Sequence, residues 1–262
     1  MFHFSANLTF LYGELDFKDR FPAARRDGFR FVELAFPYDL PARSLAGLLE
    51  ENGLKQVLLN MPPGNLAAGE LGLASDPDRV ADFRRGVDLA LEYAVAVDAP
   101  MINCLAGRRL SKYSLVDQRR VLVENLVHAA ARLAEEGRTL NIEPLNDRDF
   151  PGFLLTHSDE AVRIIAEAGA PNLRLQFDLY HMQKMEGDLI GSIRRHFAHI
   201  GHVQVGDNPD RMPPGTGEIN VPNVIRELER LGYAGLVGLE YFAVPDTPSA
   251  IKWLDQAGFK IQ

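Results

Sequence analysis

The sequence alternates eight times between a short apolar run and a longer run with apolar residues at helical spacing. The short runs lie at residues 2–8, 31–36, 55–61, 101–107, 140–146, 173–178, 200–207 and 235–241. The longer runs lie at residues 16–28, 42–53, 78–98, 116–137, 157–169, 189–199, 222–232 and 249–258. Alternating strands and helices predict a parallel sheet. Eight such units in 262 residues predict a single (β/α)8 barrel domain over residues 1–262, since this fold needs about 250 residues.

A doubly wound open sheet is the alternative architecture. It would bind a dinucleotide through a GxGxxG turn after the first strand. The sequence there reads SANLTFLYGE and has no such turn. We therefore favour the closed barrel.

Charge and cysteine content exclude several classes of protein. The net charge is −8 and the basic residues are scattered among acids, which argues against nucleic-acid binding. Cys104 is the only cysteine, so neither an intrachain disulfide nor a zinc–thiolate cluster is expected. The N-terminus does not resemble a signal peptide, and no apolar run reaches membrane-spanning length. We expect a cytoplasmic protein that does not bind a membrane. A homo-oligomer is compatible with the sequence.

Oxygen-bearing side chains stand at the ends of four consecutive predicted strands. They are Glu143, Asp178, Gln204 and Glu240, and in a barrel the carboxyl ends of the strands carry the chemistry. Taken singly, each acid is explained equally well as a helix cap or a salt-bridge partner as it is as a metal ligand. Together, three carboxylates repel one another unless a cation lies among them, and no lysine stands at these strand ends. The set predicts a divalent metal, Mg²⁺ or Mn²⁺, because its ligands are all oxygens.

Long motifs in the chain resemble the hydroxypyruvate isomerase family of xylose-isomerase-like barrels. They are FSANLTFLYGELDF, FPYD, AAGELGLA, NIEPLNDRDFPGFLLT, QFDLYHMQKMEGD, HVQVGDNPDRMPPGTGEIN and GLEY. The resemblance covers nearly the whole chain and implies that Glu143, Asp178, Gln204 and Glu240 are the metal ligands. It also implies that Glu143 and Glu240 are the acid and base.

Two loops depart from the family pattern. Phe242 and Ala243 replace an expected Lys-Pro pair, and NMPPGNLAAGE replaces the more usual NLPAGDWAAGE. Both departures bear on the choice of substrate rather than on the fold or the metal.

The resemblance implies interconversion of hydroxypyruvate and tartronate semialdehyde (2-hydroxy-3-oxopropanoate) through an enediolate. The alternatives on the same scaffold are a 2-oxo-tetronate isomerase and a related ketose epimerase. The epimerases usually have His where Gln204 stands. A multi-zinc apurinic-site endonuclease would need many histidines and a basic face, and the chain has only seven histidines. A non-enzymatic protein that binds metal or sugar acids remains a further alternative.

Three residues are candidates for binding a small hydroxy-oxo acid. Arg211, in the loop after the seventh strand, suits a carboxylate because a guanidinium grips it through two hydrogen bonds; the alternative is an exposed loop arginine. His181 lies three residues after Asp178 and would contact a substrate oxygen or orient Asp178, unless it is purely structural. Asn60 ends the third strand and would reach the pocket or form a turn.

Overall fold

Eight parallel strands close into one barrel. The computed structural model describes residues 3–261, and each strand pairs with the next along the chain, while β1 pairs with β8. The strands are β1 Phe4–Asn7, β2 Phe31–Leu34, β3 Lys55–Asn60, β4 Met101–Cys104, β5 Thr139–Ile142, β6 Leu173–Asp178, β7 Ile200–Val205 and β8 Val237–Leu239. This closure confirms the predicted (β/α)8 barrel. Phe2, the first residue of the first predicted strand, lies outside the described residues.

Helices surround the barrel and bury their apolar faces against it. They are α1 Arg20–Arg26, α2 Ala42–Asn52, α3 Val80–Ala96, α4 Leu115–Glu135, α5 Ser158–Ala168, α6 Leu179–Met185, α7 Leu189–His196, α8 Val221–Arg230, α9 Thr247–Ala250 and α10 Trp253–Gln256. Within residues 3–261, none of them is long and apolar enough to cross a bilayer.

The longest helix shows how the sequence determines these elements. The side chain of Ser114 accepts a hydrogen bond from the backbone N–H of Asp117 and so caps the first turn of α4. Leu122, Leu126 and Leu133 then recur at spacings of four and seven residues and are fully buried, which places them on the one face that packs on the sheet.

Two helical segments differ from the sequence prediction. Helix α6 begins directly after β6 because the side chain of Asp178 accepts a hydrogen bond from the backbone N–H of Tyr180; the sequence pattern identified no helical run between residues 178 and 189. The last predicted helix is two short helices, α9 and α10. Helix α9 starts before the predicted helix does, because the side chain of Asp246 caps Thr247–Ala250 by accepting from the N–H of Ser249.

The register of the strands places the polar strand ends at one level. Asp178 on β6 is opposite Gln204 on β7, and Gln204 is opposite Gly238 on β8. Glu143 and Glu240 each follow immediately after the last residue of their strands. The four predicted ligands therefore start from the same rim of the barrel.

Candidate active site

Three buried carboxylates form the centre of the site. Glu143 and Asp178 are 4% and 0% exposed, and the side chain of Glu240 is 13% exposed. One oxygen of Glu143, one oxygen of Asp178 and one ring nitrogen of His181 lie within 4.8 Å of one another. The carboxylates of Glu143 and Asp178 are close enough to share a divalent cation, with His181 beside them.

Burial and mutual repulsion disfavour the charged forms of these acids. Burial raises the pKa of Glu143 well above its usual value, and the charges of Glu240 and Asp178 raise it further. Burial also raises the pKa of Asp178, against the lowering effect of Arg211. Burial raises the pKa of Glu240 to about 8, although Arg211 lowers it. A cluster of this kind stabilises any positive charge that enters it.

Arg211 already supplies one positive charge to the cluster. Its Nη2 donates to Asp178 Oδ2 at 2.8 Å and also to Glu240 Oε1. Burial lowers the pKa of Arg211, but the neighbouring carboxylates, Glu240 first among them, raise it above its usual value. From the sequence, we found no lysine at the strand ends and assigned Arg211 to a substrate carboxylate rather than to these acids. The compensating charge comes instead from the loop after β7.

This loop is built to hold Arg211 in place. The carboxylate of Asp207 accepts hydrogen bonds from the backbone N–H groups of Gly215, Gly217 and Ile219 at 2.8–2.9 Å. Arg211 itself has a left-handed backbone, with φ of 55°, which is uncommon for a residue with a side chain. Its guanidinium carbon lies 4.7 Å from the ring centre of Phe10. The predicted substrate-binding residue therefore lies inside the site, paired with two acids.

His181 presents an N–H group to the site. Its Nδ1 accepts a hydrogen bond from the backbone N–H of Asn146 at 3.2 Å, so the neutral ring carries its hydrogen on Nε2. Burial lowers the pKa of His181 well below its usual value, and Arg211 and Lys184 add to this effect. The Nε2 atom is 3.6 Å from Asp178 Oδ2, longer than a hydrogen bond. In this tautomer His181 is a neutral donor beside the acids.

Gln204 turns its amide nitrogen, rather than its oxygen, toward the acids. Its Nε2 donates to Glu240 Oε2 and, at 2.8 Å, to Glu33 Oε2. Its Oε1 accepts from Gln176 Nε2 at 2.7 Å. Ligation of a cation by Gln204 therefore requires a half-turn of its amide, and its role as a ligand stays a prediction.

Asparagines that the sequence analysis did not single out hold the two glutamates. Asn7 Nδ2 donates to Glu240 Oε2 at 2.8 Å, and Asn103 Nδ2 donates to Glu143 Oε2 at 2.6 Å. Asn103 Nδ2 also lies 3.2 Å from Asn60 Oδ1, so the predicted residue Asn60 is linked to Glu143 through Asn103. The sequence signal that could have identified Asn7 and Asn103 is a polar residue near the end of an apolar strand, in FSAN and MINC.

Comparison with known proteins agrees with the barrel fold. Residues 21–257 match the family described as xylose isomerase-like TIM barrel. A crystal structure from Brucella melitensis, described as an AP endonuclease of family 2, superposes with a TM-score of 0.95 at 40% identity and covers 98% of this chain and 99% of its own.

Two relatives match at 44% identity along almost their whole length. Hydroxypyruvate isomerase of Escherichia coli K12 aligns over 97% of this chain and 99% of the relative. The 2-oxo-tetronate isomerase of Cupriavidus necator aligns over 96% of both. The chain thus belongs to the xylose isomerase-like TIM barrels and is an isomerase of the family that contains hydroxypyruvate isomerase and 2-oxo-tetronate isomerase.

Proposed function

We propose that this enzyme interconverts hydroxypyruvate and tartronate semialdehyde with the help of a divalent metal. The observation that carries the proposal is the clustering of the buried carboxylates of Glu143 and Asp178 at the carboxyl ends of the strands, with Glu240 joined to Asp178 through the guanidinium of Arg211. The reaction moves a hydrogen between C2 and C3 of a three-carbon acid through an enediolate. It needs a base beside a carbon acid and stabilisation of the negative charge that develops.

The donor set fits a hard divalent cation. Glu143, Asp178 and Glu240 offer carboxylate oxygens, and Gln204 offers one more oxygen after a half-turn of its amide. Such ligands suit Mg²⁺ or Mn²⁺. The three acids share one guanidinium, so a further positive charge is favoured among them. When bound, the cation would act as a Lewis acid that stabilises negative charge on the substrate oxygens.

Glu143 and Glu240 are the proposed acid and base. Each follows directly after its strand, β5 or β8, and each is oriented by an asparagine N–H that leaves carboxylate lone pairs free. In the metal-free protein the pKa of Glu240 is raised by burial to about 8, so this side chain can carry a proton near neutral pH. In this scheme one glutamate, as a carboxylate, takes a proton from C3 of hydroxypyruvate, and the other, protonated, donates its own proton to C2. A proton also passes from the C3 hydroxyl to the C2 oxygen, and proton exchange with water resets the two glutamates.

Arg211 and His181 are the proposed contacts to the substrate. The guanidinium of Arg211 is the nearest cation for the substrate carboxylate, and the Nε2–H of His181 is the neutral donor for a carbonyl or hydroxyl oxygen. Asn60, linked to Glu143 through Asn103, is the proposed further contact at the edge of the site.

A four-carbon 2-oxo acid is the second candidate substrate. The 2-oxo-tetronate isomerase relative is as similar to this chain as the hydroxypyruvate isomerase, at 44% identity. Both substrates carry the same carboxylate and neighbouring carbonyl, so the proposed contacts of Arg211 and His181 serve either one. DNA is disfavoured because a net charge of −8 opposes binding to phosphates.

The test is a turnover assay with purified, metal-depleted protein. Hydroxypyruvate and a four-carbon 2-oxo acid are supplied separately, with EDTA, Mg²⁺ or Mn²⁺, and the products are followed by NMR. We expect turnover only with metal and a higher kcat/KM for hydroxypyruvate. Full activity in protein shown by elemental analysis to lack metal would refute metal dependence, and a higher kcat/KM for the four-carbon acid would reassign the substrate. A duplex containing an abasic site serves as the control and should stay intact.

A further inference from the structure

Two aromatic rings lie against the guanidinium of Arg211. Its guanidinium carbon is 4.7 Å from the ring centre of Phe10 and 5.1 Å from that of Tyr180. A guanidinium within about 6 Å of a ring centre is attracted to the electron-rich face of the ring, and the attraction grows as water is excluded. The side chain of Arg211 is only 8% exposed, so both contacts are shielded from solvent.

Both rings make contacts that do not involve Arg211. Phe10, in the loop after β1, packs its ring against that of Phe242, with 5.3 Å between the ring centres. Tyr180, in α6, donates a hydrogen bond from its hydroxyl to Asp149 Oδ2 at 2.5 Å. Each ring therefore has an anchor of its own.

The backbone leaves room for the stem of Arg211 beside these rings. A Cβ at Gly206, the residue after β7, would lie 2.9 Å from the backbone oxygen of Glu240 and 3.2 Å from Arg211 Cγ. The missing side chain lets Arg211 pass close to the end of β7 and reach both rings.

The hydrogen bonds of Arg211 do not by themselves keep it in place throughout the proposed reaction. Its Nη2 donates to Asp178 and Glu240, but both acids are proposed ligands of the cation, and the N–H groups are then needed for the substrate carboxylate. The bond from its Nε to the backbone oxygen of Glu240, at 3.2 Å, is at the long limit of hydrogen-bond lengths. Ring contacts leave the N–H groups available, because an aromatic face attracts the positive charge as a whole.

We propose that Phe10 is a positioning residue that keeps the guanidinium of Arg211 in place when Asp178 and Glu240 no longer hold it. Phe10 acts through Arg211 and takes no part in proton transfer. The inference rests on the proposed function, in which Arg211 binds the substrate carboxylate. Tyr180 shares the role, but its hydroxyl makes further hydrogen bonds, so Phe10 gives the cleaner test.

Two substitutions separate the ring face from apolar bulk. Phe10→Leu keeps a branched apolar side chain but loses the ring, whereas Phe10→Tyr keeps the ring. In the turnover assay with metal, we expect Phe10→Leu to raise the KM for hydroxypyruvate about tenfold, the equivalent of one shielded cation–π contact. Its kcat should stay within about twofold of the wild type, because the contact orients a binding group rather than the acid and base. Phe10→Tyr should keep both values close to those of the wild type.

Phe17→Leu is the matched control. The ring of Phe17 also lies beside an arginine, with 5.8 Å from its centre to the guanidinium carbon of Arg20, and it packs on Phe21 of α1. This variant should leave the KM and kcat unchanged, since its arginine is not the proposed anchor of the substrate.

A double-mutant cycle on urea unfolding in EDTA tests the same pair without metal or substrate. Phe10→Leu, Arg211→Gln and the double variant are compared with the wild type. If the ring and the guanidinium attract each other, Phe10→Leu should lower the equilibrium constant of folding about fivefold more when Arg211 is present than in the Arg211→Gln background. Apolar packing alone would give the same loss in both backgrounds.

An unchanged KM in an active Phe10→Leu enzyme overturns the proposal, as does an equal rise in KM in the Arg211→Gln background. If Phe10→Leu does not fold, Phe10→Met takes its place. If the wild type turns over neither hydroxypyruvate nor the four-carbon acid, the proposed substrate is refuted and the unfolding cycle decides the role of Phe10. A coupling indistinguishable from zero then overturns that role, and a clear coupling retains it.

Discussion

Replacing Arg211 by glutamine tests whether its guanidinium is the counter-charge of the metal-free site. The side chain is 8% exposed and donates to Asp178, which is fully buried, and to Glu240, which is 13% exposed. Water therefore screens these ion pairs poorly. The variant leaves two buried carboxylates without their cation but offers one amide N–H in its place.

The expected cost follows from this burial. Removing one partner of a buried ion pair typically costs about 3–5 kcal/mol, and the retained amide donor places Arg211→Gln near the lower value. A loss of about 3 kcal/mol lowers the Tm of a chain of this size by roughly 6–12 °C, at about 2–4 °C per kcal/mol.

Thermal unfolding in EDTA, followed by calorimetry, measures this cost. The matched control is Arg120→Gln, because Arg120 pairs with Glu124 at 2.8 Å on the surface of a helix and such pairs contribute only about 0.3–0.5 kcal/mol. Mn²⁺ should raise the Tm of Arg211→Gln by more than that of the wild type, since the cation replaces the missing charge. A variant that melts in EDTA within 2 °C of the wild type, roughly the shift that 1 kcal/mol or less produces, would refute the assignment of Arg211 as the counter-charge.

Three further predictions concern catalysis and pH. Glu240→Gln should lose about 10²–10⁴-fold in turnover even with excess metal, whereas Asp178→Asn should regain part of its activity as metal is added; the check is rate against metal concentration, and full recovery of Glu240→Gln would make Glu240 a ligand only. Arg211→Ala should raise the KM for acid substrates by about ten- to a hundredfold, the equivalent of a charged hydrogen bond of roughly 1.5–3 kcal/mol, and an unchanged KM in steady-state assays would move this role to another residue. Burial raises the pKa of Glu240 from a usual 4.5 to about 8. At pH values between these two, Glu240 is protonated in the folded protein and ionised in the unfolded chain. The free energy of unfolding of the metal-free protein should therefore fall as the pH rises from about 5 to about 8. Urea unfolding across this range measures it, and a rise in stability would contradict the raised pKa of Glu240.

The sequence by itself was sufficient to predict the barrel. Strand and helix periods are local properties, so their eightfold alternation and the places where they stop could be read without coordinates. The same reasoning located Glu143, Asp178, Gln204 and Glu240, because all parallel strands present their carboxyl ends at one rim. Helix α6 was missed because its start depends on a cap by Asp178, a residue already interpreted as a ligand.

Only the tertiary structure decided how these residues are oriented and charged. The pairing of Arg211 with Asp178 and Glu240 joins a loop to two strands, and no local pattern predicts a contact across 33 residues of chain. The neutral tautomer of His181 depends on a backbone N–H of Asn146, which lies 35 residues away. The orientation of Gln204 depends on Glu33, across the barrel interior, and on Glu240, which both accept from its Nε2. Hydrogen-bond direction and pKa depend on which groups burial brings within a few ångströms, and closure of the barrel determines that proximity.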